Sequence, residues 1–408
     1  MELIRPDINI DFIGKRYLAF AASGLLILMT VIVLAINGGP RYGVDFAGGV
    51  LVQVRFNKAT DAGQIKKALA PLGMADATVQ FFGGDDKREF LVRTEKQDMD
   101  MTGLGDKINQ TLAQAYGQGE FEVRRVEMVG PKVGHDLREK ALLAILYSIL
   151  MIAVYISGRF EGKWALAGLM AAVLVGVTLL VEAISGGAGA VTLIVIAMAV
   201  TMAACWYLKL RYALGAIVAL LHDVIITVGV FSLLDKEFTL ATVAAILTII
   251  GYSLNDTIIV FDRIRENLTK SGGGGDLAQT INASVNQTLS RTILTSGTTL
   301  MVLVCLWALG GGVIEDFALA LLVGIGVGTY SSVFVASPVL LLLPEGKPRL
   351  PFGGEAAAKA EPAKVAPAAK AQPAAEAGKK AAPATKAQSA AKASANKQRQ
   401  GKARGKRR

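Results

Sequence analysis

Cysteine and histidine are almost absent: Cys205, Cys305, His135 and His222 are the only ones in 408 residues. Both cysteines lie in apolar runs without a CxxC partner or a nearby histidine. That argues against a disulfide framework or a zinc site, and both thiols read as small buried hydrophobes. With so few thiols and imidazoles, nucleophilic and metal-assisted catalysis lack their usual carriers, so neither an enzyme nor a cofactor is expected. Charge is scarce too, at 19% of residues against 52% hydrophobic. A chain with a mean hydropathy of +0.46 has more oily surface than one soluble core can use. It reads as a polytopic α-helical membrane protein with one small α+β exported domain and a disordered basic C-terminal tail.

The net charge of +10 is not spread along the chain. From Gly353 to Arg408, 14 Lys and Arg stand against 3 Glu, so everything before this stretch is nearly neutral. The tail, 344–408, holds almost no large apolar side chains and cannot offset its ordering entropy. Such a polycation suits anionic lipid, RNA or ribosome surfaces, and its charge alone does not choose among them.

A helix that crosses hydrocarbon needs about 20 apolar residues. Eight runs qualify: 17–36, 138–158, 164–183, 190–208, 213–233, 239–260, 292–310 and 317–343. Residues 1–16 form a short N-terminus. Lys15 and Arg16 precede the first run as in a signal peptide, but the run is too long for a signal core and is followed by a poor cleavage site. It reads as an uncleaved anchor. Lys and Arg fall in alternate short connections, at Arg159 and Lys163, Lys209 and Arg211, then Arg263, Arg265 and Lys270 in the connection 261–291. Those connections, and both termini, are therefore expected on the cytoplasmic side.

The segment 37–137 is long enough for an independent domain. Its pattern predicts strand (51–56), helix (61–72), strand (79–83), a turn at Asp85-Asp86-Lys87, strand (89–94), helix (99–116) and strand (121–128). This order, βαββαβ, suits a ferredoxin-like sandwich. It carries no cluster of catalytic residue types, so a mechanical or binding role is expected.

Ionisable groups inside spans are costly and mark transport pathways, relays or ion pairs. His222 and Asp223 interrupt one greasy run, Asp256 sits two turns before the end of the next, and Arg291 opens the one after. Thr295, Thr298 and Thr299 share a helical face with Arg291, and Asn255 can join a network around Asp256. A carboxyl whose cationic neighbour approaches and withdraws can take a proton on one side and release it on the other. The bland alternatives are a static ion pair for Asp256, threonines bonded to their own helix, a snorkelling Arg291, a structural Asp223 and a merely packing His222. Gly324 and Gly328 form a small-xxx-small pair for close helix packing, and Pro338 is placed to kink the last span.

Four stretches together resemble the SecF subunit family of the bacterial Sec protein-export machinery, within the resistance-nodulation-division superfamily. They are Gly43–Gly49 (GVDFAGG), Val129–Gly134 (VGPKVG), Gly251–Asn267 (GYSLNDTIIVFDRIREN) and Ser290–Met301 (SRTILTSGTTLM). The likeness covers roughly residues 10–345, and the last two motifs are highly specific. It implies an inner-membrane subunit that works with SecD. It also implies use of the proton-motive force to help draw exported, unfolded polypeptides from the SecYEG channel, in company with SecA and YajC. In that family the carboxylate of GYS-x-ND and the arginine of R-T-x-x-T-S-G-T-T are associated with proton conduction, and here these are Asp256 and Arg291. Asp223 matches a further family aspartate. The usual subunit has six spans, so 164–208 reads as an inserted hairpin. Two other functions compete with this one: a proton-coupled small-solute exporter of the same superfamily, and an intramembrane aspartyl protease built on Asp223 and Asp256.

Overall fold

The computed structural model describes residues 9–75, 77–81, 88–94, 103–162, 164–185, 190–271 and 276–343. The tail 344–408 and the turn at 85–87 lie outside them. The first long helix, α1 (Arg16–Ile36), leads into a short helix, α2 (Val44–Ala47), inside the GVDFAGG motif. Then follow β1 (Gly49–Phe56), α3 (Ala62–Leu69), β2 (Thr78–Phe81), β3 (Glu89–Thr94), α4 (Leu104–Tyr116) and β4 (Phe121–Val129). The strands form one sheet in the order β2-β3-β1-β4, with every neighbouring pair antiparallel. The expected strand and helix order is thus present, with the second helix described only from Leu104.

Alternation builds this unit. β1 turns Val50, Val52, Val54 and Phe56 to one face, where they bury with Phe90 and Val92 of β3 against Ile65 and Leu69 of α3 and Ile108 and Leu112 of α4. Each such side chain contributes about 1.5–3 kcal/mol through burial. Asp61 starts α3 by accepting the Gly63 N–H at 2.9 Å, a capping bond that meets one otherwise unsatisfied amide. Pro71 sits in the 3-10 turn Ala70–Leu72 that ends the helix, and Gly73 follows in the left-handed conformation.

After β4 the chain becomes a bundle: α5 (Pro131–Glu161), α6 (Trp164–Ser185), α7 (Ala190–Tyr207), α8 (Arg211–Leu233), α9 (Leu240–Lys270), α10 (Leu277–Leu309) and α11 (Gly312–Ser331). Among the described residues, six helices are long and apolar enough to cross a membrane: Arg16–Ile36, Pro131–Glu161, Arg211–Leu233, Leu240–Lys270, Leu277–Leu309 and Ile314–Leu342. The stretch 164–208 is helical as α6 and α7, whose shorter apolar segments are Trp164–Val173 and Val191–Tyr207. Both pack on α5, and the Trp164 ring lies so close to Gly158 that a Cβ there would come within 2.5 Å of it.

Two features differ from the sequence expectation. The connection expected at 261–291 is mostly helix, because α9 runs on to Lys270 and α10 begins at Leu277 with Asp276 as its cap. The reason is an apolar stripe that outlasts the membrane run: Phe261, Ile264, Ile281 and Val285 are fully buried between the two helices and their neighbours. Cys305, expected to be buried, is exposed, whereas Cys205 is buried near Met170.

Close approach organises the bundle core. Gly324 leaves room for Ile249, and a Cβ on Gly328 would come 2.9 Å from the Ser253 Cβ, so α11 lies directly on α9. Past Ser331 the helix widens into a π turn, Ser332–Ala336, just ahead of Pro338. Proline has no N–H to give back to the preceding turn, and the wider turn accommodates that break.

Candidate functional site

Two buried carboxylates sit in the bundle, each with its own partners. Asp223 on α8 is fully buried. Its Oδ2 accepts hydrogen bonds from Ser253 Oγ on α9 at 2.6 Å and Ser331 Oγ on α11 at 2.9 Å. Its Oδ1 lies 3.0 Å from His222 Nδ1. The other ring nitrogen of His222 is 3.0 Å from Ser23 Oγ on α1, which is 3.2 Å from the Tyr330 hydroxyl. Tyr330 in turn donates to the Ala19 carbonyl and stacks on the His222 ring, with centroids 6.0 Å apart. Four helices are stitched together by this one chain of polar groups.

Asp256 is the second. It lies one turn beyond Ser253 on α9 and is 1% exposed. Its Oδ2 accepts from Ser296 Oγ on α10 at 3.1 Å, and Thr329 Oγ1 on α11 donates to the same serine at 2.8 Å. Among the described residues its Oδ1 has no hydrogen-bond partner, and neither has the buried hydroxyl of Thr292, one turn before Ser296. A buried polar atom left unbonded is costly, and native structures meet such groups with a partner or an ordered water. Asp256 and Asp223 share no hydrogen bond among the described residues, so they do not form a carboxylate dyad of the aspartyl-protease kind.

Arg291 is exposed on α10, and no ion pair joins it to Asp256 among the described residues. Its charge acts on that carboxyl through space. With Asp262, Arg263, Glu266, Gln287 and Thr288 it lines a hollow of about 230 Å³ between α9 and α10, at the end of the bundle away from the sheet. Thr295, Thr298 and Thr299 bond the carbonyls of Arg291, Leu294 and Thr295 on their own helix, and Thr299 also meets the Tyr252 hydroxyl at 3.0 Å. Asn255 is exposed. Of the residues singled out by sequence, then, Asp223, His222 and Asp256 are held in polar networks, while among the described residues no hydrogen bond joins Asn255 or the Arg291 face to them.

The hydroxyls that do reach the two carboxylates carry no individual mark in the sequence. Ser253, Ser296 and Ser331, with Thr329 behind Ser296, are common residue types in membrane helices, and which face they occupy depends on neighbours far away in the chain. One signal was present: Thr288, Thr292 and Ser296 recur at four-residue spacing on the α10 face that is buried. Just before this stripe on α10, Asn282 and Asn286, also four apart, clamp the N-terminal segment. They accept from the Phe12 and Ile10 amides at 2.9 and 2.8 Å and donate to the Ile10 carbonyl. No group of residues able to hold a metal ion occurs among the described residues.

Known proteins match this architecture along most of its length. The family profile described as "Protein export membrane protein SecD/SecF, C-terminal" matches residues 108–186 and 173–346, and the "SecD/SecF GG Motif" profile matches 33–60. The protein translocase subunit SecF of Magnetococcus marinus is 44% identical over 352 residues, covering 86% of this chain and 96% of that protein. The subunit SecF of Escherichia coli O157:H7 is 34% identical over 335 residues, covering 82% and 87%. Among solved structures, SecDF of Thermus thermophilus, described as a translocon-associated membrane protein, superposes with a TM-score of 0.59 at 32% identity. That match covers 83% of this chain and 39% of the longer SecDF chain. Together with the six apolar helices these matches identify a multi-pass membrane protein, and the chain belongs to the SecF branch of the SecD/SecF family of protein-export membrane proteins.

Proposed function

We propose that this chain is a non-enzymatic subunit of the Sec translocase that, with SecD, couples the proton-motive force to late steps of polypeptide export through SecYEG. The observation that carries the reading is Asp256, buried where α9, α10 and α11 meet, with one oxygen on Ser296 and the other without a partner among the described residues, within reach of the charge of Arg291. A carboxyl so placed is costly to keep charged and has an open position for a water or proton. The buried Thr288–Thr292–Ser296 stripe leads from the hollow at Arg291 towards it, which supports a hydrated access route from that end. One charge crossing the membrane field yields about 2.3 kcal/mol per 100 mV, enough to bias two states that differ by a few kcal/mol.

In this reading both termini are cytoplasmic in a bacterial inner membrane, the sheet unit is a ferredoxin-like domain on the opposite side, and α6 and α7 are an additional pair of spans. The meeting of the two family matches within α6 supports an insertion there. SecA, YajC and unfolded exported chains are the remaining partners, and the basic tail is a surface for anionic lipid or RNA. The test is export stimulation in membranes that contain SecD and the channel. Asp256→Asn and Arg291→Met should each abolish it while membrane insertion and co-purification of SecD persist. Wild-type export rates from either variant refute the assigned roles. Proton antiport of a small solute by the purified complex, without an exported chain, would favour the exporter reading instead.

A further inference from the structure

The sheet unit grips the bundle through a compact knot at the start of α9, the helix that carries Asp256. Residues Arg41–Gly43 run alongside Phe238 as a single parallel bridge that pairs Tyr42 with Phe238: the Gly43 amide donates to the Phe238 carbonyl at 2.8 Å, and the Phe238 amide donates to the Arg41 carbonyl at 2.7 Å. Asp45, in the GVDFAGG motif, accepts the Leu240 amide at 2.8 Å. Leu240 is the first residue of α9, so a carboxylate from α2 sits on that helix's positive end, where a negative charge is favoured. From the sheet, Arg93 of β3, 7% exposed, donates to Glu237 at 2.9 Å and to the Tyr42 carbonyl at 2.7 Å. The spacing is tight: a Cβ on Gly43 would meet the Thr239 side chain at 2.9 Å, and one on Gly48, whose φ of +77° already requires glycine, would meet Pro131 at 2.9 Å. The Arg138 guanidinium of α5 lies over the Tyr42 ring, 5.0 Å from its centre.

We propose that Asp45 and Arg93 are positioning residues that fasten the sheet unit to the N-terminal end of α9, so that a displacement of α9 at Asp256 is delivered to the sheet unit. This rests on the proton-driven reading above. Asp256 lies 16 residues beyond Leu240, about 24 Å along a helix that acts as a rod over that distance. Nothing softens that span: residues 240–256 contain no proline, and Gly251 is their single glycine. The grip is made of directional bonds to backbone groups at the very end of the rod. A tilt or slide of α9 against α10 and α11 therefore moves the knot as a piece, and Arg93 carries that motion into β3. A stabilising cap alone would require only the Thr239–Thr242 capping box, which α9 already has.

The experiment reads the sheet position directly, in the SecD-containing complex in lipid. Spin labels go at Lys58, on the sheet unit, and Leu309, at the end of α10, both exposed, as cysteines in a chain with Cys205→Ala and Cys305→Ala. Asp256→Asn, a permanently neutral stand-in for the protonated carboxyl, should shift the label-to-label distance in the otherwise unaltered chain. With Asp45→Ala the shift should be lost, and with Arg93→Met it should be lost or at least halved. Asp45→Asn, which keeps an oxygen for the Leu240 amide, should retain it, and this conservative pair separates transmission from simple misfolding. A full shift that survives Asp45→Ala, or one that Asp45→Asn abolishes along with Asp45→Ala, overturns the fastening. Absence of any shift in the unaltered chain overturns the proton-driven reading and this inference with it.

Discussion

Ser253 donates to Asp223 at 2.6 Å from a position one helical turn before Asp256, so α9 carries one buried carboxylate and a donor to the other. The serine also stands where Gly328 lets α11 approach α9 closely. Ser253→Ala would take one donor from a fully buried carboxylate and leave only Ser331 on that oxygen. The expected cost is about 1–3 kcal/mol of stability, read as an earlier thermal transition of the solubilised complex. Ser253→Thr restores a hydroxyl but adds a methyl at that contact, and should recover only part of the loss.

Ser296 and the threonines of the neighbouring α10 face make a sharper contrast. Ser296→Ala removes the one hydrogen bond that Asp256 receives among the described residues. Export stimulation should then fall nearly as far as in Asp256→Asn. Thr295→Val and Thr298→Val only delete bonds to carbonyls that stay bonded within the helix. Each should leave export unchanged and stability within about 0.5 kcal/mol. Equal losses from both faces would mean that the exposed stripe lines a working crevice after all.

This contrast also shows where sequence reading reaches its limit here. Cost picked out Asp223, His222 and Asp256, because a charge or imidazole in an apolar run is conspicuous without any neighbours. Spacing picked the Arg291–Thr295–Thr298–Thr299 face, since periodicity reports which residues share a side but not which side faces the core. The buried side is Thr288, Thr292 and Ser296, fixed by the contacts of α10 with α9 and α11. The strand and helix order of the sheet unit was legible from its alternation, whereas α2 was not, because four residues are too few for any period. The knot at Asp45, Arg93 and Glu237 joins residues up to about 190 positions apart and leaves no local signature.

The loop between α8 and α9 carries a testable ion-pair effect. Lys236 lies 2.7 Å from Asp316 and 3.4 Å from Glu315 at the start of α11. Partial burial works against its charge, but the two carboxylates outweigh it and hold its pKa above the ordinary lysine value. A group whose pKa is raised on folding contributes its full stability below the unfolded value, about 10.4, and loses it as pH rises through the folded value. Lys236→Met should therefore lower stability by about 0.5 kcal/mol at pH 7 to 8. The difference from the parent should close only in strongly alkaline solution, and thermal transitions taken across that range check it.

Helix contact at Gly328 can be separated from helix propensity by comparing neighbours on α11. A Cβ at Gly328 meets Ser253 at 2.9 Å and stands 3.3 Å from Asp223 Oδ2, whereas a Cβ at Gly326 meets nothing within 4 Å. Both glycines are helical, so alanine at either lowers the entropy lost on folding by a similar amount, about 0.5–1 kcal/mol in favour of the variant. At Gly326 that gain should stand alone. At Gly328 it competes with overpacking, which costs about 1–3 kcal/mol because a tightly apposed backbone must retreat. The retreat also draws Ser253 and Ser331 away from Asp223. Gly328→Ala should therefore melt earlier than the parent while Gly326→Ala melts no earlier. If the two variants behave alike, α11 does not lie against α9 at this point.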